Sequence, residues 1–428
     1  PAEFEGIVSL LASRQNSEGG CGLWNQSPNS DAFVSAYIGL LIQEAKTRRV
    51  ERAAALWPAT ERYLKTLVND ASLNDLSGLR TRALAVYVRT RAGITTTAEI
   101  AGIQEMLDKN VPESQRTDVT SLLLAASLKL LKVSGPADSR AQAAVKALNA
   151  QKTQEYSYAN YDDPAVADAL NVYLLHQQFP QIAKAISPKT YERLIAPIVE
   201  GTNNTLSSAL TMLALEAAAQ NTHASTIAFK QKIASGASTE FGAAQGWLHA
   251  GSFIAEAKSL NISKAGSGTV WYAMTEAGFD QSLAVKTANN GIEVSKVYLD
   301  AQGSPLTRPL KIGEELTVSI KLRSIDNTSH ADIALIDLLP GGFEAITDGG
   351  IANAISSSGN SPAHQEVRED RVVIYTTATD SISEYRYRIK ATNAGTYARP
   401  RSFASSMYER KVQAREAEST EAAIEVKE

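Results

Sequence analysis

DAFVSAYIGLLIQEA, residues 31–45, decides how the first half of this chain is read. Ser30 and Asp31 stand where a helix N-cap belongs, and Phe33, Val34, Tyr37, Leu40 and Leu41 fall on one face of an amphipathic helix. The same grammar extends outward. Asp75 precedes Leu76, Leu79, Ala83, Val86 and Tyr87, with Gly93 closing the segment. Asp118 precedes Val119, Leu122, Leu123, Ala126 and Leu130, and Gly135 is expected to close that helix. Pro164 follows Asp163 at the first-turn position that accepts proline, and Ser208 to Ala219 ends the series. Residues 1–11 read as a further amphipathic segment, as if the chain opened partway through a domain. Helices returning in pairs across short linkers predict stacked hairpins, so residues 1–224 are expected to form an incomplete α/α toroid. An open helical solenoid is the other arrangement the pattern allows.

Near residue 225 the period changes. Short β-branched and aromatic runs divided by Gly, Pro, Asn and Asp predict strands at Ser259–Ile262, Thr269–Met274, Val294–Leu299, Leu316–Leu322, Ile333–Asp337, Val372–Thr376 and Tyr385–Ala391. Their spacing fits antiparallel β-sandwich domains. SLAVKTANNG, residues 282–291, separates two strand clusters and dictates a division into 225–286 and 287–428. The fold class expected is thus multidomain, α then β. The tail beyond Tyr408 is charged, and its last dozen residues are expected to be mobile.

A length of 428 residues fits roughly three domains at about 150 residues each. Hydrophobic residues at 44% and charged residues at 21% are globular proportions, which excludes wholesale disorder. The formal charge of −4, with signs intermixed, offers no basic face to a phosphate backbone, so nucleic acid is not an expected partner. No apolar run approaches the roughly 18 residues of a membrane helix, and no charged-then-apolar leader opens the chain.

QNSEGGCGLW, residues 15–24, is the most conspicuous local motif, and a Gly cluster before an aromatic reads as a turn between toroid helices. Similar Gln-to-Trp turns occur in terpene cyclases, which need an acidic cluster. The acidic pair near aromatics here, Asp162–Asp163, precedes Pro164 and reads as a helix cap. Gly-Cys-Gly also resembles the start of a thioester motif, in which a Gln three residues on acylates the sulfur. Trp24 occupies that position, so no thioester is expected in this chain and Cys21 reads as a small core residue. His176, His223, His249, His330 and His364 show no metal-ligand spacing, and no phosphate loop or nucleophile elbow is present. Neither a metal, a cofactor nor a catalytic residue is expected. Gly341–Gly342 and Gly349–Gly350 read as turns, and Trp271, Tyr272 and Phe279 as a half-buried core set.

Several stretches in order resemble the bacterial alpha-2-macroglobulins over essentially the whole chain. SRQNSEGGCGLW followed by DAFVSAYIGLLIQEA is similar to the part of that family's toroid domain downstream of its thioester. GSGTVWYAMTEAGF resembles the strands with which a split CUB domain resumes. VYLDAQGSPL, ADIALIDLLPGGFEA, VREDRVVIYTT and YRYRIKATNAGTYARPRSFASSMYERKVQAR resemble the final macroglobulin-like sandwich. The resemblance implies a protease-trapping inhibitor rather than an enzyme, periplasmic or tethered to the inner membrane through an upstream part. Its implied partners are host or competitor proteases, with accessory periplasmic envelope proteins as a further class. In thioester-bearing members a Met-Tyr pair on the last sandwich covers the bond against water, and Met407 and Tyr408 match that pair. Plain docking of the sandwich is the other reading of the pair, and Trp24 is a candidate for the same pocket. Glu409–Arg410 departs from the family's more typical Asp-Pro, which puts close thioester protection in question. Two rivals stand beside this reading: an adhesive envelope protein that uses its sandwiches for binding, and a terpene-cyclase-like toroid enzyme.

Overall fold

The computed structural model describes residues 2–25, 27–113, 118–150, 163–200, 203–220, 226–241, 243–245, 248–265, 272, 274, 287–347, 355–409, 411–416 and 423–428. Outside them lie the expected strand at 269–274 except Tyr272 and Met274, the first half of the 282–291 boundary, Trp271, Phe279, Asp162, His223 and Gly349–Gly350. The chain divides into two compact units, Pro1–Pro197 with Leu206–Tyr272, and Ile198–Thr205 with Ala273–Glu428.

The first unit opens with helices α1 (Ala2–Arg14), α2 (Ala32–Thr47), α3 (Glu51–Ala54), α4 (Trp57–Leu67), α5 (Leu76–Arg91) and α6 (Thr97–Asn110). They are followed by α7 (Val119–Leu130), α8 (Ser134–Ala150), α9 (Pro164–Gln178), α10 (Pro180–Ala183), α11 (Pro188–Val199) and α12 (Thr205–Gln220). Four of them start on an aspartate that takes up an otherwise unpaired amide. Val34 N donates to Asp31 at 2.8 Å, Gly78 N to Asp75 at 2.7 Å, Thr120 N to Asp118 at 2.9 Å and Ala165 N to Asp163 at 2.8 Å.

Those four, α2, α5, α7 and α9, pack side by side in succession, while α4, α6 and α8 pack against them as a second set. A helix covered by neighbours on several sides buries most of its circumference, and any polar group there needs a partner. Accordingly, every residue of α5 from Thr81 to Thr90 is buried, as are Leu122 to Ser127 of α7. This two-layer alternation is the incomplete α/α toroid.

A polar cluster ties the inner layer together. Arg91 of α5 reaches Glu44 of α2 at 2.6 Å and the Tyr173 hydroxyl of α9 at 2.7 Å, and Tyr173 also bonds Glu44. Arg48 bridges Glu44 to Glu216 of α12. Burial alone would raise the Glu44 carboxyl, but the Tyr173 hydroxyl and Arg91 guanidinium hold it below the usual range.

Gly93, at φ 92°, closes α5 as expected. Gly135 does not close α7. That turn is made by Lys132 at φ 65°, with Val133 N reaching back to Leu128 O at 2.9 Å, and Gly135 lies inside α8. Pro136 behind it suits a first helical turn, so Gly-Pro begins a helix here rather than ending one.

The first unit also holds an antiparallel sheet with Thr226–Ile233 between Ser238–Phe241 and Ala257–Ala265. Tyr272, expected in a core, is 66% exposed, because no strand forms at that residue to give it a sheet face.

The second unit is a β-sandwich. Phe343–Ala345, Ser383–Ala391, Glu315–Ser324 and Ile292–Leu299 form one layer, and Ser402–Ser406, His330–Leu338, Arg371–Ala378 and His364–Val367 the other. Ala288–Asn290 and Gln413–Arg415 carry the hydrogen bonding from one layer to the next. Inward residues alternate along Ser383–Ala391, where Tyr385, Tyr387, Ile389 and Ala391 are buried. The tail is a correction. Ile424–Lys427 pairs with Gly395–Tyr397 and Leu310–Lys311, and Ile424 and Val426 enter the core. Two apolar residues alternating with charges are enough for an edge strand, which outweighs the charged composition around them.

Candidate functional site

Two local structures carry the residues singled out from sequence. The first is the turn between α1 and α2. Gln15 Nε2 donates to Gly19 O at 3.1 Å and to Thr60 Oγ1 at 3.0 Å, and Asp31 N donates to Cys21 O at 2.9 Å. Close backbone approach explains the glycines. Gly19 adopts φ 92°, and a Cβ there would lie 2.0 Å from Ala59 O. The Cys21 thiol packs among Val8, Ile38 and Ile42, and burial pushes it up to about 11. A thiol this protonated is a core group rather than a nucleophile. Trp24 follows as a half-buried ring beside Leu23, which is 44% exposed.

The second is the turn after strand Ser402–Ser406, where Met407 is 38% exposed and Tyr408 half-buried. Ser406 Oγ accepts from Tyr408 N at 3.3 Å and Glu409 N at 3.0 Å, and Met407 N donates to Asp332 O at 3.0 Å. Asp332 has φ 54° at a bulge where His330–Leu338 slips register against Arg371–Ala378. His330 braces the turn from below, with Nε2 3.0 Å from Asp326 and Nδ1 3.6 Å from Glu409. Glu409 thus meets Ser406 through its backbone amide and His330 through its carboxylate.

Met407 and Tyr408 are thus brought together on one braced turn, while Trp24 belongs to the other compact unit. Asp163, the residue an enzyme reading would use, caps α9. The Asp332 bulge, His330 and the Glu44 cluster were not read from sequence, since no local pattern marks which distant side chain each would meet.

Residues 291–410, which take in most strands of the sandwich and this turn, match the Bacterial Alpha-2-macroglobulin MG10 domain. An alpha-2-macroglobulin homolog of Yersinia pestis is 32% identical over 96% of this chain. The chain belongs to the bacterial alpha-2-macroglobulin family. It corresponds to the C-terminal part of these proteins, and spans 22% of the Yersinia relative and 22% of the Pasteurella multocida alpha-2-macroglobulin, which is 29% identical over 96% of the chain. The fold agrees with the crystal structure of native Escherichia coli alpha-2-macroglobulin from domain MG7 to the C-terminus, at a TM-score of 0.71 and 18% identity, covering all of this chain and 68% of that one. A Salmonella alpha-2-macroglobulin reacted with methylamine gives a TM-score of 0.71 at 17% identity, over 98% of this chain and 27% of that one.

Proposed function

We propose that this chain is the docking and trapping end of an alpha-2-macroglobulin-type protease inhibitor, with no catalytic step of its own. The observation that carries the reading is the continuous similarity to a relative named as an alpha-2-macroglobulin homolog over 96% of the chain, through helical and strand segments alike. In this reading residues 1–224 are the toroid, 225–286 a CUB-like segment and 287–428 the last macroglobulin sandwich. The full-length protein works in the periplasm, free or tethered to the inner membrane, and its partners are proteases of a host or a competitor.

In this reading Met407 and Tyr408 serve as an apolar cover, with Trp24 a further candidate for that role. Such a cover protects a strained acyl-sulfur bond by excluding water, wherever the full-length protein carries one upstream. The test is thiol release by methylamine in the full-length protein. Met407→Ala with Tyr408→Ala is expected to speed the loss of methylamine-reactive material on storage, and an unchanged lifetime would reduce the pair to packing. The adhesive reading differs in its response to a protease, which would be shed rather than retained.

A further inference from the structure

Three ionisable side chains far apart in sequence meet inside the sandwich. Lys296 lies on Ile292–Leu299 in one layer, Asp337 on His330–Leu338 in the other, and Glu416 directly after Gln413–Arg415. The Lys296 and Asp337 side chains are 4% and 1% exposed, with Nζ 2.6 Å from Oδ1. Tyr387 donates to Asp337 Oδ2, and Ser402 Oγ donates to Oδ1 at 2.9 Å. Glu416 accepts from the backbone amides of Lys296 and Ser402, fixing the two segments that carry the amine and the serine. Nζ also donates to Pro400 O and lies 5.1 Å from the Tyr298 ring.

As an ion pair this arrangement contributes little to stability, because desolvating both charges offsets their attraction. As a reacting pair it is well placed. Moving one proton from Nζ to Oδ1 along the 2.6 Å contact leaves a neutral amine against a neutral carboxylic acid. Both are held in a water-poor interior, where fixed proximity replaces the entropy cost of a bimolecular encounter. The hydroxyl of Tyr387 already points at the oxygen that would become an oxyanion.

We propose that Lys296 and Asp337 condense into an intramolecular isopeptide bond that joins the two layers of the sandwich covalently. The Nζ lone pair attacks Cγ and forms the C–N bond. The displaced π electrons rest on Oδ2, held by the Tyr387 hydroxyl. Collapse of the tetrahedral centre breaks the Cγ–Oδ1 bond. Oδ1 leaves as water with two protons, the one first passed from the ammonium and one more lost by Nζ. No oxidant, reductant or activating group is consumed. A covalent link of this kind keeps the two layers joined under mechanical load or heating.

The experiment is the intact mass of the purified full chain under denaturing conditions, followed by digestion and peptide mapping. The mass is expected one water below the sequence mass, with a branched peptide joining the segments that contain Lys296 and Asp337. Lys296→Arg keeps a cation opposite Asp337 but cannot form this amide, and is expected at its full sequence mass. A wild-type chain at full sequence mass would leave a plain buried ion pair and overturn the proposal. A water loss that persists in Lys296→Arg would overturn it as well, since the loss would lie elsewhere.

Discussion

Single residues already separate what is locally encoded from what is not. Gly19 is required by close approach, so Gly19→Ala is expected to destabilise the first unit by about 2 kcal/mol through strain and collision with the Ala59 carbonyl. Gly102, within α6, has no atom within 4 Å of an added Cβ, and Gly102→Ala should stabilise by about 0.5–1 kcal/mol. Urea midpoints of the two variants, measured side by side, check the contrast. The Gly cluster at 15–24 marks a turn in sequence, but the approach of the Ala59 carbonyl that forbids a side chain at Gly19 is visible only in the fold.

His176 carries a pH dependence with a definite sign. Burial depresses its imidazole to about 4, so the folded state prefers it neutral while the unfolded chain takes up a proton near 6.5. The unfolded state then binds more protons between those values, and stability falls as pH drops through that window. A loss of up to about 3 kcal/mol follows from the size of the shift. His176→Gln should flatten the curve of stability against pH between 6.5 and 4, and an unchanged curve would remove His176 as its source.

At the scale of elements, the helix starts were legible because capping is local. Asp31, Asp75, Asp118 and Asp163 each sit beside the amide they cap, within three residues. Asp75→Ala is expected to cost about 1 kcal/mol. Asp118→Ala should cost more, since Asp118 also pairs with Arg80 at 3.0 Å; thermal unfolding of the two variants ranks them. Gly135 was misread because Gly-Pro is at once a stop signal and a legitimate first turn. The tail was misread because composition was weighed above the alternation of Ile424 and Val426.

The Met407–Tyr408 turn was located by resemblance, whereas its bracing was invisible. Ser406 braces it from within the same turn, but Asp332 and His330 reach it only through strand register. Ser406→Ala removes the acceptor for two backbone amides and should cost about 1 kcal/mol locally. Hydrogen exchange at Tyr408 and Glu409 is expected to quicken while the strand amides of His330–Leu338 keep their protection.

Over the whole molecule, the change of period near residue 225 announced the passage from helices, the last ending at Gln220, to strands, the first starting at Thr226. The order of the strands in the sandwich was not available from the sequence. Ile292–Leu299 and His330–Leu338 are consigned to different layers by long-range pairing, and that is why Lys296 meets Asp337.

The central claim, a trap that closes on its attacker, is tested most directly by the sedimentation of the full-length natural protein before and after challenge with a substoichiometric protease. The account predicts limited cleavage, a faster-sedimenting compact form, and protease travelling with it. Trimming without compaction, with the protease left free, would contradict it.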